Sequence, residues 1–258
     1  VSWMKPLRDT APEKFAFFTG RDQSQSLTGW WAQMFGTPNY AAHGGFCSVN
    51  MAAGGIYTIG GAFWEFGQPD WDRTKLFVLF GVAEDHDSNP IKIGIGKMKA
   101  RGARVIGVNP IRSGYNAVAD DWIGITPGTD GLLILSLIHC LLQAGRIDLD
   151  YLARWTNAPL LVNSAEGPEN GLVLKNAESQ PFVIDKRTGM PAPWDGAGVQ
   201  PDLGAVWQGH RTVFQHMAER YLSDDYAPEA VADRVGIPAP RIHALAAELA
   251  RVAFDEAF

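Results

Sequence analysis

The chain holds two cysteines, and their settings differ. Cys47 lies in a run of small residues, His43-Gly44-Gly45-Phe46-Cys47-Ser48-Val49-Asn50-Met51-Ala52-Ala53-Gly54-Gly55, with His43 four positions upstream. A thiolate in such a setting could ligate a soft metal, and so many small residues let backbone approach something closely. The same features suit a small residue buried in a tight turn. Cys140 sits in a long apolar run and reads as a small core hydrophobe. Two thiols cannot complete a four-cysteine zinc site or a cubane iron–sulfur cluster, and a disulfide scaffold is excluded by size and number. The six histidines show neither H-x-x-x-H nor H-E-x-x-H spacing, so no zinc site is expected. His139, among Leu and Ile in mid-helix, reads as a satisfied core residue.

Three polar stretches are the other candidates: Gly81–Ser88, Asn109–Ser113 and Pro127–Asp130. Each joins Gly or Pro to short polar side chains, a composition that suits a ribose, a phosphate or a purine edge. An acidic or amide side chain after the second strand of a βαβ unit commonly takes ribose hydroxyls, and Asn109 holds that place. Ordinary polar loop tips would look the same. No P-loop is present. Gly94-Ile95-Gly96-Lys97-Met98-Lys99 begins like a dinucleotide fingerprint but lacks the third glycine and falls inside a helical pattern.

The elements that must position these residues follow from periodicity. Lys14 to Phe18 reads as a buried strand running into Thr19-Gly20. A helix is expected over residues 22–35, with Asp22 or Ser24 as N-cap and Leu27, Trp30, Trp31 and Met34 on its apolar face. Thr37 to Tyr40 closes that unit. Leu76–Phe80 and Arg104–Val108 read as strands flanking a helix from Asn89 to Arg101, with Pro90 in its first turn and Gly102 as its stop. This βαβ pattern predicts parallel neighbours. Asp121–Ile125 is a third short strand, followed by a long apolar helix from about Gly131 to Leu142. Residues 157–205 read as hairpins and loops, with Pro181–Asp185 the best strand. Helices return after His210, and one opening at Ile237 runs toward the end of the chain. In an open parallel sheet, ligands bind beyond the carboxyl ends of the strands, where all three polar stretches fall.

Composition bounds the class. The chain has 258 residues, 46 % hydrophobic and 19 % charged, which describes a globular α/β protein. A formal net charge of −6 without a basic stripe speaks against a nucleic-acid partner. No apolar run reaches the roughly 20 residues of a membrane span, and the Val1-Ser2-Trp3-Met4 start shows no signal peptide. The missing initial Met and a helical pattern still running at the last residue predict an internal piece of a larger protein.

Taken in order, Lys14–Gly20, the helix after it, the Cys47 stretch, the βαβ unit at 76–108, and Ala119-Asp120 followed by Pro127-Gly128-Thr129-Asp130 resemble the molybdopterin oxidoreductases of the dimethyl sulfoxide reductase family. The resemblance covers most of residues 14–155 and the last helix. It implies Rossmann-like parallel-sheet α/β domains and molybdenum or tungsten held by two molybdopterin guanine dinucleotides, a bis(molybdopterin guanine dinucleotide) cofactor. Cys47 falls where the family supplies its protein ligand to the metal. Asp130 would accept hydrogen bonds from a guanine edge, Gly128 would permit close backbone approach, and Thr129 lies between them. Gly81, Asp85 and Asp87 belong to the first cofactor loop. Asn109, Pro110, Arg112 and Ser113 match a loop that is usually Asp-Pro-Arg-x-Thr, with Asn replacing the Asp and losing a charge.

By the same resemblance, residues 1–75 are part of a first α/β domain carrying the metal-ligand loop. Residues 76–155 form the nucleotide-binding βαβ domain, and 156–258 a loop-rich insertion with a helical return. The family's N-terminal iron–sulfur domain, with its 4Fe-4S cluster, and its C-terminal β-barrel are expected outside this chain. Formate-oxidising members place a His after the metal-binding residue, whereas Ser48 follows Cys47. The Gly44–Met51 and Gly81–Pro90 stretches look most like sulfite dehydrogenase catalytic subunits. The implied reaction is oxidation of sulfite or another small inorganic oxyanion. Arg21 and His43 would serve a cationic substrate pocket, and electrons would leave through an iron–sulfur subunit to a membrane quinone-reactive subunit. A cytoplasmic location, membrane-associated through those partners, follows. The alternatives are a non-catalytic or electron-conducting homologue of the same fold, and a nitrate, polysulfide or thiosulfate reductase.

Overall fold

The computed structural model describes residues 1–20, 24–61, 69–81 and 90–256. It divides into two units, Val1–Pro69 and Asp70–Phe258.

The first unit opens with α1 (Met4–Thr10) and a 3-10 turn at Pro12–Lys14, then runs through β1 (Ala16–Thr19), α2 (Gln25–Phe35), β2 (Asn39–Ala42), α3 (His43–Phe46) and α4 (Ser48–Ile59). β1 and β2 pair in parallel, Ala16 opposite Asn39 and Thr19 opposite Ala42. The expected strand is therefore real but shifted two residues, and Asn39–Tyr40, expected to close the unit, instead opens a second strand. Ser24 occupies the N-cap of α2, and Gly36 ends it at φ 96°, a left-handed conformation that suits glycine. Of the expected apolar face of α2, Trp31 packs within this unit and is joined by Phe35. Phe35 and Trp31 meet Phe15 and Phe17, with Phe15 and Phe35 ring centroids 4.8 Å apart, while Leu27, Trp30 and Met34 are exposed. Aromatic area on the strands selects which side of the helix packs within this unit.

The second unit contains a three-stranded parallel sheet with helices packed on both faces. β3 (Leu76–Phe80), α5 (Pro90–Ala100), β4 (Arg104–Val108), α6 (Tyr115–Val118), β5 (Asp121–Ile123) and α7 (Asp130–Gln143) follow in order. The strands lie β3-β4-β5, all parallel, with Phe80 opposite Val108 and Val108 opposite Ile123. Alternation along the strands feeds two cores. Leu79 and Val105 join Ile95, Met98 and Tyr115 on one face. Ile106, Val108 and Ile123 join Leu133 and Leu137 of α7 on the other.

That second core is completed from the far end of the chain. α10 (Pro228–Val235) and α11 (Ala239–Phe254) supply Val231, Val235, Ile242, Leu245 and Ala246 to it. α11 ends at Phe254, with Asp255 as its C-cap, short of the expected run to the last residue. Between α7 and α10 lie α8 (Leu149–Trp155), the antiparallel strands β6 (Leu161–Val162), β9 (Val206–Trp207) and β10 (His210–Thr212), the hairpin β7 (Phe182–Asp185) with β8 (Met190–Pro193), and α9 (Val213–Tyr221). The loop-rich texture of 157–205 thus folds as a small β module, and a capping box of Thr212 and Gln215 starts α9.

Two glycines are there for contact rather than for turns. An added Cβ at Gly94 would lie 2.3 Å from the Trp71 ring, so the glycine-containing run at 94–99 serves helix packing. At Gly107 it would lie 2.1 Å from Asn116 Oδ1. β4 and α6 are in close contact there.

Candidate functional site

Parallel pairing brings three loops to one edge of the β3-β4-β5 sheet. Gly81 leaves β3 at φ 67° and donates its N–H to Val108 O at 3.0 Å. Asn109 leaves β4 and donates its N–H to Ile123 O at 3.1 Å. The chain leaving β5 passes Thr126 and turns at Gly128 (φ 81°) into α7, whose first residue is Asp130. Gly81, Asn109 and the Pro127–Asp130 turn are the expected loop positions, and they lie along the carboxyl edge. Asp85 and Asp87, expected in the first of these loops, lie outside the described residues.

The β4 loop is braced at both ends. Asn109 is 6 % exposed, and its Nδ2 donates to Ile111 O at 3.0 Å. The Trp122 indole N–H donates to Asn109 O at 3.0 Å. At the far end, Ser113 O accepts both the Asn116 N–H (3.0 Å) and Asn116 Nδ2 (3.2 Å). Gly114 adopts φ 54°, ψ −130°, a conformation that requires glycine. Between these anchors Pro110, Ile111 and Arg112 are exposed. The β5 loop is held similarly. Thr129 Oγ1 donates to Thr126 O at 2.7 Å, and Thr126 N–H donates to Val235 O at the end of α10 at 2.9 Å. Gly236 makes room for this contact, since a Cβ there would lie 2.8 Å from Thr126 Oγ1.

Asp120, half of the Ala-Asp…Pro-Gly-Thr-Asp pairing, does a different job. Its Oδ2 accepts the Val105 N–H at 2.8 Å, and its Oδ1 pairs with Lys99 Nζ at 2.8 Å. Burial pushes its carboxyl up, but the Lys99 hydrogen bond, the Val105 N–H and the Lys99 and Arg104 charges outweigh that and hold it below the ordinary value. Asp120 fastens β5 to the start of β4, at the end of the sheet away from the loops.

In the first unit, the carboxyl ends of β1 and β2 lie side by side. Thr19-Gly20 continues from β1, and His43 starts α3 directly after β2. Cys47 is the break between α3 and α4, with φ −93° and ψ −70°, so it ends one helix and begins the next. The expected loop of small residues is thus largely helical, because Ala and a four-residue apolar repeat outweigh scattered glycines. Cys47 is half-buried, and its Sγ lies 3.9 Å from Met51 Sδ. His43 Nδ1 is buried and makes no hydrogen bond among the described residues. Arg21 lies outside them.

Cys140 packs beside the main core, and burial, then the nearby Glu229 charge, push its thiol up. Its Sγ lies 3.8 Å from His243 Nδ1. His139 is 1 % exposed with Nδ1 2.8 Å from Tyr221 O, but its Nε2 has no partner among the described residues, so the core histidine is only half satisfied. No group of three or more His, Cys, Asp or Glu among the described residues could hold a metal by itself. Trp122, Gly107 and Gly236 were not expected to shape the site. Their signal is the strand alternation, which places Gly107 on a packed face, and it says nothing of the contact made there.

No protein-family model matches the chain. A sulfite dehydrogenase subunit from Allochromatium vinosum is 47 % identical over 271 residues, covering 97 % of this chain and 27 % of that protein. Dimethyl sulfoxide reductase DmsA of Haemophilus influenzae is 34 % identical over 120 residues, 44 % of this chain and 15 % of that protein. The chain belongs to the dimethyl sulfoxide reductase family of molybdopterin oxidoreductases. A solved structure, acetylene hydratase from Pelobacter acetylenicus, matches with a TM-score of 0.50 at 16 % identity, over 99 % of this chain and 28 % of that one. That likeness shows the fold. The chain spans about a quarter of the length of the relative with which it shares 47 % identity.

The residues present fit the family's molybdopterin cofactor. Gly44, Gly45 and Gly54 of the first unit have nothing within 4 Å of an added Cβ, as do Gly81 and Gly128 of the second, where positive φ already calls for glycine. In the first unit, free space at its glycines, a thiol at a helix break and a buried imidazole nitrogen without a partner among the described residues suit a sulfur-ligated metal. No helix among the described residues is long and apolar enough to cross a membrane.

Proposed function

We propose that this chain is part of the catalytic subunit of a molybdenum- or tungsten-dependent oxidoreductase that binds bis(molybdopterin guanine dinucleotide) and oxidises sulfite. The observation that carries this reading is 47 % identity over 97 % of the chain with a sulfite dehydrogenase subunit. When bound, the metal centre supplies two-electron oxidation of a small sulfur oxyanion.

Cys47 would hold the metal through Sγ as a thiolate, a soft donor suited to it. Its place at the α3–α4 break fixes the Cβ direction through two helices rather than through a loose loop. His43, whose Nδ1 is buried and has no hydrogen bond among the described residues, would contribute a polar contact for the anionic substrate. Arg21, outside the described residues, would supply positive charge for the same anionic substrate. Asp130 would accept N–H bonds from a guanine edge, and Gly128 and Thr129 would let backbone reach the nucleotide. Gly81, Asp85, Asp87, Asn109, Pro110, Arg112 and Ser113 would line the nucleotide tails. Electrons would leave one at a time through an iron–sulfur subunit to a quinone-reactive membrane subunit. A 4Fe-4S cluster would lie in the parent protein outside this chain.

The test is metal and pterin analysis of the full-length protein, wild type beside Cys47→Ala. The expected result is one metal and guanine dinucleotide in the wild type, with sulfite oxidation lost in the variant. A wild type free of metal and pterin, made in a host that assembles the cofactor, refutes the reading and leaves the non-catalytic homologue.

A further inference from the structure

The β5 strand carries a device that acts on the neighbouring loop. Trp122 points its indole N–H at the carbonyl of Asn109 (3.0 Å), the first residue beyond β4. Its own carbonyl accepts Arg241 Nη2 of α11 at 2.8 Å, and the same guanidinium pairs with Asp121. The indole lies over Gly124, where an added Cβ would come within 3.0 Å of the ring. The tryptophan is therefore held by its backbone on one side and by a glycine-sized gap on the other. A small residue at 124 lets the large ring reach across to the next strand's loop.

We infer that Trp122 is a positioning residue for nucleotide binding: through Asn109 O it fixes the near end of the Asn109–Ser113 loop in the form that receives a guanine nucleotide tail. This rests on the cofactor reading above. The far end is already fixed by Gly114 and Asn116, and the near-end backbone N–H is used in the sheet. The Asn109 carbonyl takes its hydrogen bond from the indole, so without it the near end is left to the sheet N–H and the Nδ2 bond to Ile111 O, and the Pro110–Arg112 stretch gains freedom. A loop ordered in advance binds more tightly because it has less freedom to lose. Arg241 extends the brace to α11, so the last helix also bears on the loop.

The test uses full-length holoenzyme carrying Trp122→Phe, which keeps an aromatic ring and removes the N–H. Gly124→Ala displaces the indole by a different route. Val183→Ala, fully buried in the β7–β8 hairpin, serves as a control of general destabilisation. Guanine dinucleotide per chain is measured after prolonged dialysis, as released pterin and guanine nucleotide, beside the melting temperature of each protein. Loss of one ordering hydrogen bond predicts nucleotide release about three- to tenfold faster in both Trp122→Phe and Gly124→Ala. The Val183→Ala protein should retain it as the wild type does. Retention equal to wild type in Trp122→Phe overturns the inference, as does equal loss in Val183→Ala at a matched fall in melting temperature. A wild type that holds no guanine dinucleotide refutes the cofactor reading instead, a separable outcome.

Discussion

Gly107→Ala tests whether the close contact between β4 and α6 shapes the site. The new Cβ would sit 2.1 Å from Asn116 Oδ1, 3.0 Å from its Cγ and 3.3 Å from its Cα. Ordinary contact distances require the amide to retreat by roughly 1 Å. Asn116 is fully buried, so it cannot swing into solvent, and its Nδ2 bond to Ser113 O (3.2 Å) would break. Overpacking of this kind costs about 1–3 kcal/mol, and the lost hydrogen bond about 1 kcal/mol more. The sum, about 2–4 kcal/mol, shifts the unfolding equilibrium roughly 30- to 1,000-fold. The assay is urea unfolding followed by tryptophan fluorescence, with Asn116→Ala and the double variant completing a cycle. Removing the amide first should relieve most of the clash, giving a coupling of at least about 1 kcal/mol. A loss under about 0.5 kcal/mol in Gly107→Ala, or strict additivity in the double variant, refutes the reasoning.

Two further outcomes concern carboxyl groups, one introduced and one removed. Asn109→Asp replaces a donor with a carboxylate oxygen facing Ile111 O, which lies 3.0 Å from Nδ2. Stability should drop about 1–3 kcal/mol at neutral pH and recover as acid protonates the new carboxyl, read by urea midpoints across pH; a pH-independent loss would count against it. Asp120 and Asp185 are both held below the ordinary carboxylate value. In Asp120, burial is outweighed by Lys99, Val105 and Arg104; in Asp185, the Arg187 N–H and then its guanidinium act, with the Gln200 N–H. A lowered folded value contributes stability that is complete above the ordinary carboxylate range and is lost as pH falls through the lowered value. Asp120→Asn should therefore be less stable than wild type near neutrality and lose less on acidification. Equal acid sensitivity in the two proteins would rule this out.

Much of the second unit was legible from periodicity. Leu76–Phe80 and Arg104–Val108 are strands with the predicted bounds, because β-branched and aromatic runs between polar turns have few other solutions. The α7 helix begins at Asp130, where the Pro-Gly-Thr-Asp turn ends. The first unit was harder to read. The glycine-rich run around Cys47 looked like loop but forms two helices, and of the apolar stripe of α2 Trp31 packs while Leu27, Trp30 and Met34 are exposed. A helix with apolar residues on several sides does not declare which side its neighbours will take. That is settled by the rings of Phe15 and Phe17, which lie elsewhere in the chain.

Residue types and their order determined the chemistry this chain can offer: one thiol among small residues, and amide, hydroxyl and carboxylate groups after successive strands. They also determined that β3 and β4 are parallel, since a helix-length crossover joins them. Only the tertiary structure decided which groups are spent on the fold. Asp120 is taken by Val105 and Lys99, Asn109 by Ile111 and Trp122, and Thr126 by Val235, over a hundred residues away. Hydrogen-bond partners distant in sequence leave no periodic trace, because they depend on where two backbones meet rather than on the pattern of either one.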